Sequence, residues 1–433
     1  MSKVAFITLG CKVNQYETNA MSQEFIEKGY EVVEHHEKAD IYVINTCTVT
    51  NMSDRKSRQM LRRVKELNPN SIVIACGCYV QVAKDEVAKI EDIDLILGNN
   101  EKKNLVEHLE QYQKDKKRQL EIEDLMQQRE FVEFGDVTYT EKTRAVVKIQ
   151  DGCDRFCSYC IIPYARGRVR SRKPEGIISE ITKIAQEGIK EVVITGIHVA
   201  SYGKDFKENY GLIDLLENLN RIEGIKRIRL SSIEPLILDE QFINRLSKLE
   251  KICHNFHLSL QSGCDETLKR MNRRYNTEQF KTVVNLIRNT YKDAILTADV
   301  IVGFPGETEE EFEKTYKFLE DVKFYKTHVF KYSPRKGTKA AVMENQIDGN
   351  IKEQRSKKLI ELSNNFEKEY NESYIGKTVE VLWEEEKEGI YKGHTQNYLL
   401  AYYKPEKGDM NLENKITKAN CISAESDHII VEI

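Results

Sequence analysis

The sequence predicts an α/β protein built from an N-terminal doubly wound parallel sheet, a partial parallel (β/α) barrel and a small C-terminal all-β barrel. Three observations carry that expectation. Short apolar runs alternate with helix-period segments over the first 110 or so residues. The same alternation resumes at Arg144 and supplies six further strand–helix units. The last sixty or so residues then lose the helical period and become short runs joined by turns.

In the first region, assigned to residues 1–112, Val4–Leu9, Ile41–Asn45, Ile72–Ala75 and Ile93–Leu97 have strand patterns. Glu17–Lys28 and Ser53–Leu67 have helix patterns between them. The stretch Gln111–Arg129 is rich in Lys, Glu and Gln, so residues 113–140 are expected to form a charged, solvated connection. The barrel is expected over 141–368. Its strands are Ala145–Gln150, Glu191–Thr195, Arg227–Leu230, Phe256–Leu260, Ala294–Val300 and Thr327–Phe330. Helices follow at Gly176–Glu187, Leu212–Arg221, Thr277–Arg288 and Glu309–Asp321, and a charged helix at about Asn350–Tyr374 leads out. The final unit, 369–433, shows Val379–Trp383, Gly389–Gly393, Tyr398–Tyr403 and Ile429–Val431 as strands.

A length of 433 residues allows roughly two to four domains. The 40% hydrophobic and 31% charged content is that of an ordinary globular chain. A net charge of -4 is not the basic footprint of a typical nucleic-acid binder, although a local patch can sit inside an acidic total. No run is long enough to span a membrane, and Val4–Leu9 is too short for a signal-peptide core. A cytoplasmic, monomeric protein without membrane contact is therefore expected. In a reducing compartment ten cysteines point to metal or redox chemistry, the plain alternative being small buried hydrophobes. Seven of the ten, at 11, 47, 76, 78, 153, 157 and 160, fall in tight, turn-like settings.

Cys153, Cys157 and Cys160 follow a strand directly with C-x3-C-x2-C spacing. Three thiolates on one short loop can hold three corners of a 4Fe-4S cluster and leave the fourth iron open for another molecule. A closed structural zinc site would want a fourth ligand nearby, and none is present in the local sequence. The spacing, with Tyr159 just before the last cysteine, resembles the radical S-adenosylmethionine (SAM) superfamily. The resemblance implies that the open iron chelates SAM and that an electron from the cluster splits SAM to a carbon radical. Segments at other strand ends suit a SAM cradle. Thr195 and Gly196 close one strand, Ser232 and Glu234 the next, and Gln261 another. Gly303 begins a tight Gly-Phe-Pro-Gly turn.

Cys11, Cys47 and Cys78 each follow an N-terminal strand, where a doubly wound sheet gathers strand ends on one crevice. Buried core cysteine is the alternative there. The motifs Gly10-Cys11-Lys12-Val13-Asn14-Gln15, Asn45-Thr46-Cys47 and Gly77-Cys78-Tyr79-Val80-Gln81 resemble those of the methylthiotransferase family. That family carries an N-terminal cluster domain, a radical SAM barrel and a C-terminal TRAM domain. The resemblance implies two 4Fe-4S clusters, on Cys11/Cys47/Cys78 and on Cys153/Cys157/Cys160, with SAM as co-substrate and an electron donor such as flavodoxin or ferredoxin. It favours Cys78 over Cys76 as ligand, and no conventional side-chain acid–base catalyst is expected.

The start Gly-Cys-Lys-Val-Asn-Gln-Tyr-Glu, with Ser53–Gln59, is similar to the branch that acts on N6-threonylcarbamoyladenosine beside the tRNA anticodon. Sister branches act on isopentenyladenosine in tRNA or on a ribosomal-protein aspartate. A reading of another class is a non-enzymatic, metal-stabilised RNA-binding protein. Arg55 and Arg58 on one helix, Arg166, Arg168 and Arg170 after the cysteine loop, and Trp383 in the last domain are the candidate RNA contacts. The arginines after the loop have an alternative partner in the SAM carboxylate. A threonyl carboxylate entering the site would need a cationic or hydrogen-bonding partner there.

Overall fold

The computed structural model describes residues 2–135, 137, 143–405 and 411–433. The first layer is a six-stranded sheet of β1 (Lys3–Thr8), β2 (Glu31–Val33), β3 (Ile41–Thr46), β4 (Ile72–Gly77), β5 (Leu95–Leu97) and β6 (Gln119–Glu121). Every pairing is parallel, in the order β2-β1-β3-β4-β5-β6. Period-two alternation sends successive strand residues to two apolar layers. Ala5, Tyr42, Ile44, Val73 and Ala75 meet Leu61 and Val64 of α2 (Asn51–Leu67). Val4, Val43, Ile74 and Cys76 meet Met21 and Phe25 of α1 (Lys12–Glu27) on the other face. The sheet is thus doubly wound, and its order reverses between β1 and β3.

β6 corrects the expected connection. Its residues lie inside the stretch assigned to a solvated linker, yet they pair with β5 and complete the sheet. The charged composition of that stretch reflects an edge strand, whose outer side faces water. Residues 136 and 138–140 of the connection, and 141–142 at the expected start of the barrel, lie outside the described residues.

The second unit holds β7 (Arg144–Asp151), the short antiparallel β8 (Arg170–Ser171), β9 (Glu191–Gly196), β10 (Arg227–Leu230), β11 (Asn255–Gln261), β12 (Ile295–Val302) and β13 (Lys326–Lys331). Six of them run parallel in sequence order, as β7-β9-β10 and β11-β12-β13. Isolated parallel bridges, Ile228 to Ile252 and Ile233 to Leu258, join the two halves. The result is a partial barrel whose six strands are those the sequence predicts. Its helices bury Ile177, Ile181, Leu215, Leu216, Phe280 and Phe312 against the outer strand faces.

The N-terminal domain touches both ends of the strand row. Glu17 of α1 binds Lys148 of β7 at 2.6 Å, and Asp54 of α2 binds Arg335, which follows β13, at 2.6 Å.

The helix Gly349–Glu372 packs along β13 and runs across the expected domain boundary at 368. Beyond it, β14 (Thr378–Lys387), β15 (Ile390–Thr395), β16 (Leu400–Tyr403), β17 (Ile416–Ala424) and β18 (Ile429–Glu432) close a barrel in the order β14-β15-β16-β18-β17. β17 was not expected from sequence, because ITKANCISA mixes polar residues on both faces. This barrel docks on the first residues of the larger barrel's strands. Arg144 reaches Glu384 at 2.6 Å, and Arg227 reaches the His394 carbonyl at 2.9 Å. It therefore sits at the strand ends opposite the cysteine loop that follows β7. No helix among the described residues is long and apolar enough to cross a membrane.

Candidate functional site

Two sets of three cysteines are assembled by strand ends. Cys11 caps α1 after β1, Cys47 follows β3, and Cys78 opens a short helix, Cys78–Val82, after β4. Two glycines permit the approach. Gly10 has φ +105°, and a Cβ there would lie 2.7 Å from the Cys47 sulfur. Gly77 has φ +100°, and a Cβ there would lie 2.5 Å from the Thr46 backbone. Any larger residue would hold the loops apart. Burial pushes the Cys47 thiol up, and charge on Cys78 or Cys11 pushes it further. Cys11 is exposed, yet the protein crowded around it raises its thiol, with Arg166 pulling the other way and Cys78 adding to the rise. Cys76 points instead with Ile74 into the apolar layer under α1, where burial pushes its thiol up to about 11.

Cys153, Cys157 and Cys160 lie on the loop after β7. The Gln150 amide donates to the Asp151 and Gly152 carbonyls, and its oxygen accepts from the His198 amide at 2.7 Å, which staples the loop root to β9. Phe156 sits inside the loop at φ +47°, an uncommon conformation for a bulky residue, costing about 1–2 kcal/mol. It is held there by an Asn272 hydrogen bond to its carbonyl and by Arg168 over its ring. Burial first, and the neighbouring thiols next, push Cys160 up to about 12, while burial takes Cys153 to about 11.

Thiols so disfavoured as anions want a bound cation, and each set has a guanidinium placed for thiolate. Arg166 Nε donates to Cys78 Sγ at 3.1 Å, and Arg273 Nη1 to Cys157 Sγ at 3.3 Å. A coordinating metal inverts the local pKa order and deprotonates the thiols outright. The donor sets therefore suit iron–sulfur chemistry.

Arg166 belongs to a buried charge network. Glu17 and Asp151 are its carboxylates; Lys102, Lys148, Arg166 and Arg170 are its cations. Opposed by burial, those cations still hold Glu17 well below the usual carboxylate range. Arg170 leaves Nε and Nη1 without partners, so the network carries surplus positive charge beside Cys78. Electrostatically it suits an anionic group.

This overturns part of the expected RNA surface. Arg166 and Arg170 are fully buried and unavailable to phosphate or to bulk solvent. Only Arg168 of that trio keeps a half-exposed side chain, paired with Asp154 at 3.3 Å. Trp383 is also corrected. It fills the core of the C-terminal barrel at 0% exposure and donates to Thr417 at 2.8 Å, so it cannot stack on a base. Arg55 is exposed on α2, and Arg58 lies over the Tyr79 ring with its Nη1 3.1 Å from the hydroxyl.

A cavity of about 910 Å³ runs from Cys11 down the lumen of the partial barrel. Thr195, Gly196 and Ser232 line it. A smaller cavity of about 230 Å³ shares Val49, Ile162, Asp299 and Phe330 with it and reaches Tyr159, Cys160 and Gln261. One cysteine of each set, Cys11 and Cys160, thus lines one of two neighbouring cavities. Glu234 lines a separate cavity of about 660 Å³ with Arg155. Burial works against its ionisation, but His198, 3.4 Å away, and the Arg155 charge hold its carboxyl at about 2. Gly303 has φ +70° and lies under Lys352, where a Cβ would come within 2.2 Å. The close approach there is made by this chain's own lysine rather than by a ligand.

Several lumen residues escaped the sequence reading. His257 bonds Thr297 at 2.8 Å and Asp299 at 3.2 Å, with His328 beside it. Tyr398 stacks on His394 and lies beneath Arg229 and Arg144. Polar residues at i, i+2 inside apolar strands, such as Thr297 and Asp299 or Lys326 and His328, are the signal that would have found them. Lys12, next to Cys11, also lines the cavity.

Residues 147–319 match the Radical SAM superfamily, and residues 3–98 match the Uncharacterized protein family UPF0004. The chain is 43% identical over 430 residues (98% of this chain, 94% of the relative) to a threonylcarbamoyladenosine tRNA methylthiotransferase of Bacillus subtilis. It is 42% identical to the protein of the same description in Aquifex aeolicus, over 92% of this chain and 95% of the relative. A tRNA-2-methylthio-N(6)-dimethylallyladenosine synthase of Clostridium botulinum is 35% identical, over 98% of this chain and 96% of the relative. Among solved structures, the radical SAM methyltransferase TsrM of Kitasatospora setae shares the fold, with TM-score 0.56 and 16% identity over 79% of this chain and 77% of that one. Relatives this similar along almost the whole length, joined to the loop geometry above, place the chain in the radical SAM tRNA methylthiotransferase family.

Proposed function

We propose that this enzyme adds a methylthio group to carbon 2 of N6-threonylcarbamoyladenosine next to the tRNA anticodon, using two 4Fe-4S clusters. The observation that carries the reading is that Cys11 of one set and Cys160 of the other line neighbouring cavities that share Val49, Ile162, Asp299 and Phe330. Sulfur delivery and hydrogen abstraction must reach one carbon, and this shared wall puts a cysteine of each set beside the same region. The radical SAM set on Cys153, Cys157 and Cys160, once loaded, supplies the electron that splits SAM to a carbon radical. A hydrogen atom on an aromatic carbon is not removed by a side-chain base at neutral pH, which is why the lumen needs no acid–base pair at the reacting atom. The chain's own residues do the rest. Gln150 and Asn272 fix the loop, and Arg273 and Arg166 compensate thiolate charge.

The threonylcarbamoyl substrate is supported by the higher identity to relatives of that description. The exposed basic face of α2, with Arg55, Lys56, Arg62 and Arg63, suits the tRNA backbone. Alanine replacement of each cysteine tests the division of labour. Losing Cys153, Cys157 or Cys160 should remove one cluster's iron and stop 5′-deoxyadenosine formation. Losing Cys11, Cys47 or Cys78 should remove the other cluster's iron and stop methylthiolation. Full iron content in either series refutes its ligand set.

A further inference from the structure

We propose that Lys12 is the residue that recognises the substrate's amino-acid carboxylate, and so selects a carboxylate-bearing N6 substituent over an apolar one. This rests on the substrate reading above and assigns the group that reads it.

The cavity lining is rich in charge, but nearly all of it is spent internally. Arg229 is bound by both Glu191 oxygens, at 2.8 and 3.1 Å, and Lys326 by Glu367 at 2.7 Å. His394 faces Glu384 at 2.8 Å, and His257 faces Asp299 at 3.2 Å. The acids are likewise taken: Asp427 holds His428 at 2.8 Å. His328 rests against the His257 ring. Lys12 is the one lysine or arginine of this lining with neither a hydrogen bond nor an ion pair among the described residues. The residue is exposed, and it lines the cavity.

Helix stability does not explain a lysine at this position. Lys12 is the first residue of α1, a helix with no acidic residue in its first turn. The helix dipole disfavours a cation at an N-terminus, so an anion supplied from elsewhere would relieve it. The cavity size is that of a small-molecule or nucleoside site.

Substrate chemistry supplies the register. In the purine ring carbon 2 and carbon 6 flank N1, so carbon 2 and the N6 substituent share one edge of the base. A base that turns carbon 2 toward Cys11, Cys47 and Cys78 must carry its N6 substituent toward the same wall. Lys12 adjoins Cys11, and its flexible four-carbon stem can follow a carboxylate there. An isopentenyl group in the same place would leave the ammonium unmatched.

The test measures equilibrium binding of one tRNA in three forms, bearing adenosine, threonylcarbamoyladenosine or isopentenyladenosine at the target position. Wild type, Lys12→Gln and Lys12→Arg are compared as reconstituted proteins matched for iron and sulfide. A charge-assisted hydrogen bond predicts that wild type prefers the threonylcarbamoyl form by about 10- to 100-fold. Lys12→Gln should lose that preference while binding the adenosine form as wild type does, and Lys12→Arg should restore most of it. Unchanged preference in Lys12→Gln overturns the assignment, as does equal weakening for all three tRNAs. A wild type that prefers the isopentenyl form overturns the substrate reading itself.

Discussion

The buried network around Glu17 gives a prediction whose size follows from its geometry. Glu17 Oε2 lies 2.5 Å from Lys102 Nζ, and Oε1 lies 2.6 Å from Lys148 Nζ, with Arg166 bridging both oxygens. In a Glu17→Gln variant Lys148 keeps Asp151 at 2.7 Å, and Arg166 keeps Asn14 at 2.6 Å. Lys102, at 0% exposure, loses the carboxylate that neutralises it. Orphaning one buried charge costs about 3–5 kcal/mol. At ~4 °C per kcal/mol, the value between those of smaller and larger domains, the N-terminal transition should fall by at least ~12 °C. Differential scanning calorimetry of wild type and variant measures it. The double variant Glu17→Gln/Lys102→Met should recover most of the loss, since it removes the ammonium that the single variant orphans. A single variant within ~1 kcal/mol of wild type, or a double variant no better than the single, refutes the reasoning.

Three further outcomes follow. Trp383→Ala should cost about 3–5 kcal/mol of C-terminal barrel stability by opening a core cavity, whereas Trp383→Phe should leave tRNA affinity unchanged in a filter-binding assay. Cys76→Ala should keep both clusters' iron, because its thiol faces the apolar layer under α1, whereas Cys78→Ala should not. Glu191 bridges Arg144 and Arg229 beneath the C-terminal barrel; burial alone would raise its carboxyl, but the two guanidiniums hold it well below the usual range. A depressed carboxylate stabilises the fold fully above about pH 4.5 and progressively less as pH falls below it. The stability gap between wild type and Glu191→Gln, read from melting curves, should therefore be flat above that pH and shrink below it; a gap that shrinks between neutral pH and pH 5 contradicts the assignment.

Strand periodicity and strand-end cysteines made the larger frame legible. Parallel strands buried on both faces, such as β3 with its run Ile41–Ile44, are apolar stretches that a sequence displays openly. A seven-residue separation such as Cys153 to Cys160 is local, and so it too is visible. Edge and barrel strands were harder. β6 is short and charged, and β17 alternates between a closed core and solvent with no clean pattern. The arginine run misled for a physical reason. Arg166 ends a short helix and Arg170 lies on a two-residue strand, but both turn inward to the network of Glu17 and Asp151, and Glu17 comes from α1, far away along the chain. Charge partners so far apart along the chain leave no local trace. Trp383 misled similarly, because a barrel strand offers one inward face and the sequence does not say which.

The central claim is methylthiolation of a threonylcarbamoyl base, and nucleoside mass spectrometry tests it most directly. Purified, anaerobically reconstituted enzyme would be incubated with SAM, a reductant, a sulfide source and tRNA carrying either threonylcarbamoyladenosine or isopentenyladenosine, and the digested nucleosides compared. The account predicts that the threonylcarbamoyl nucleoside gains one methylthio group, with deuterium at carbon 2 lost in step, while the isopentenyl nucleoside stays largely unchanged. Equal or greater conversion of the isopentenyl nucleoside, or methylthiolation that retains the carbon 2 deuterium, would contradict it.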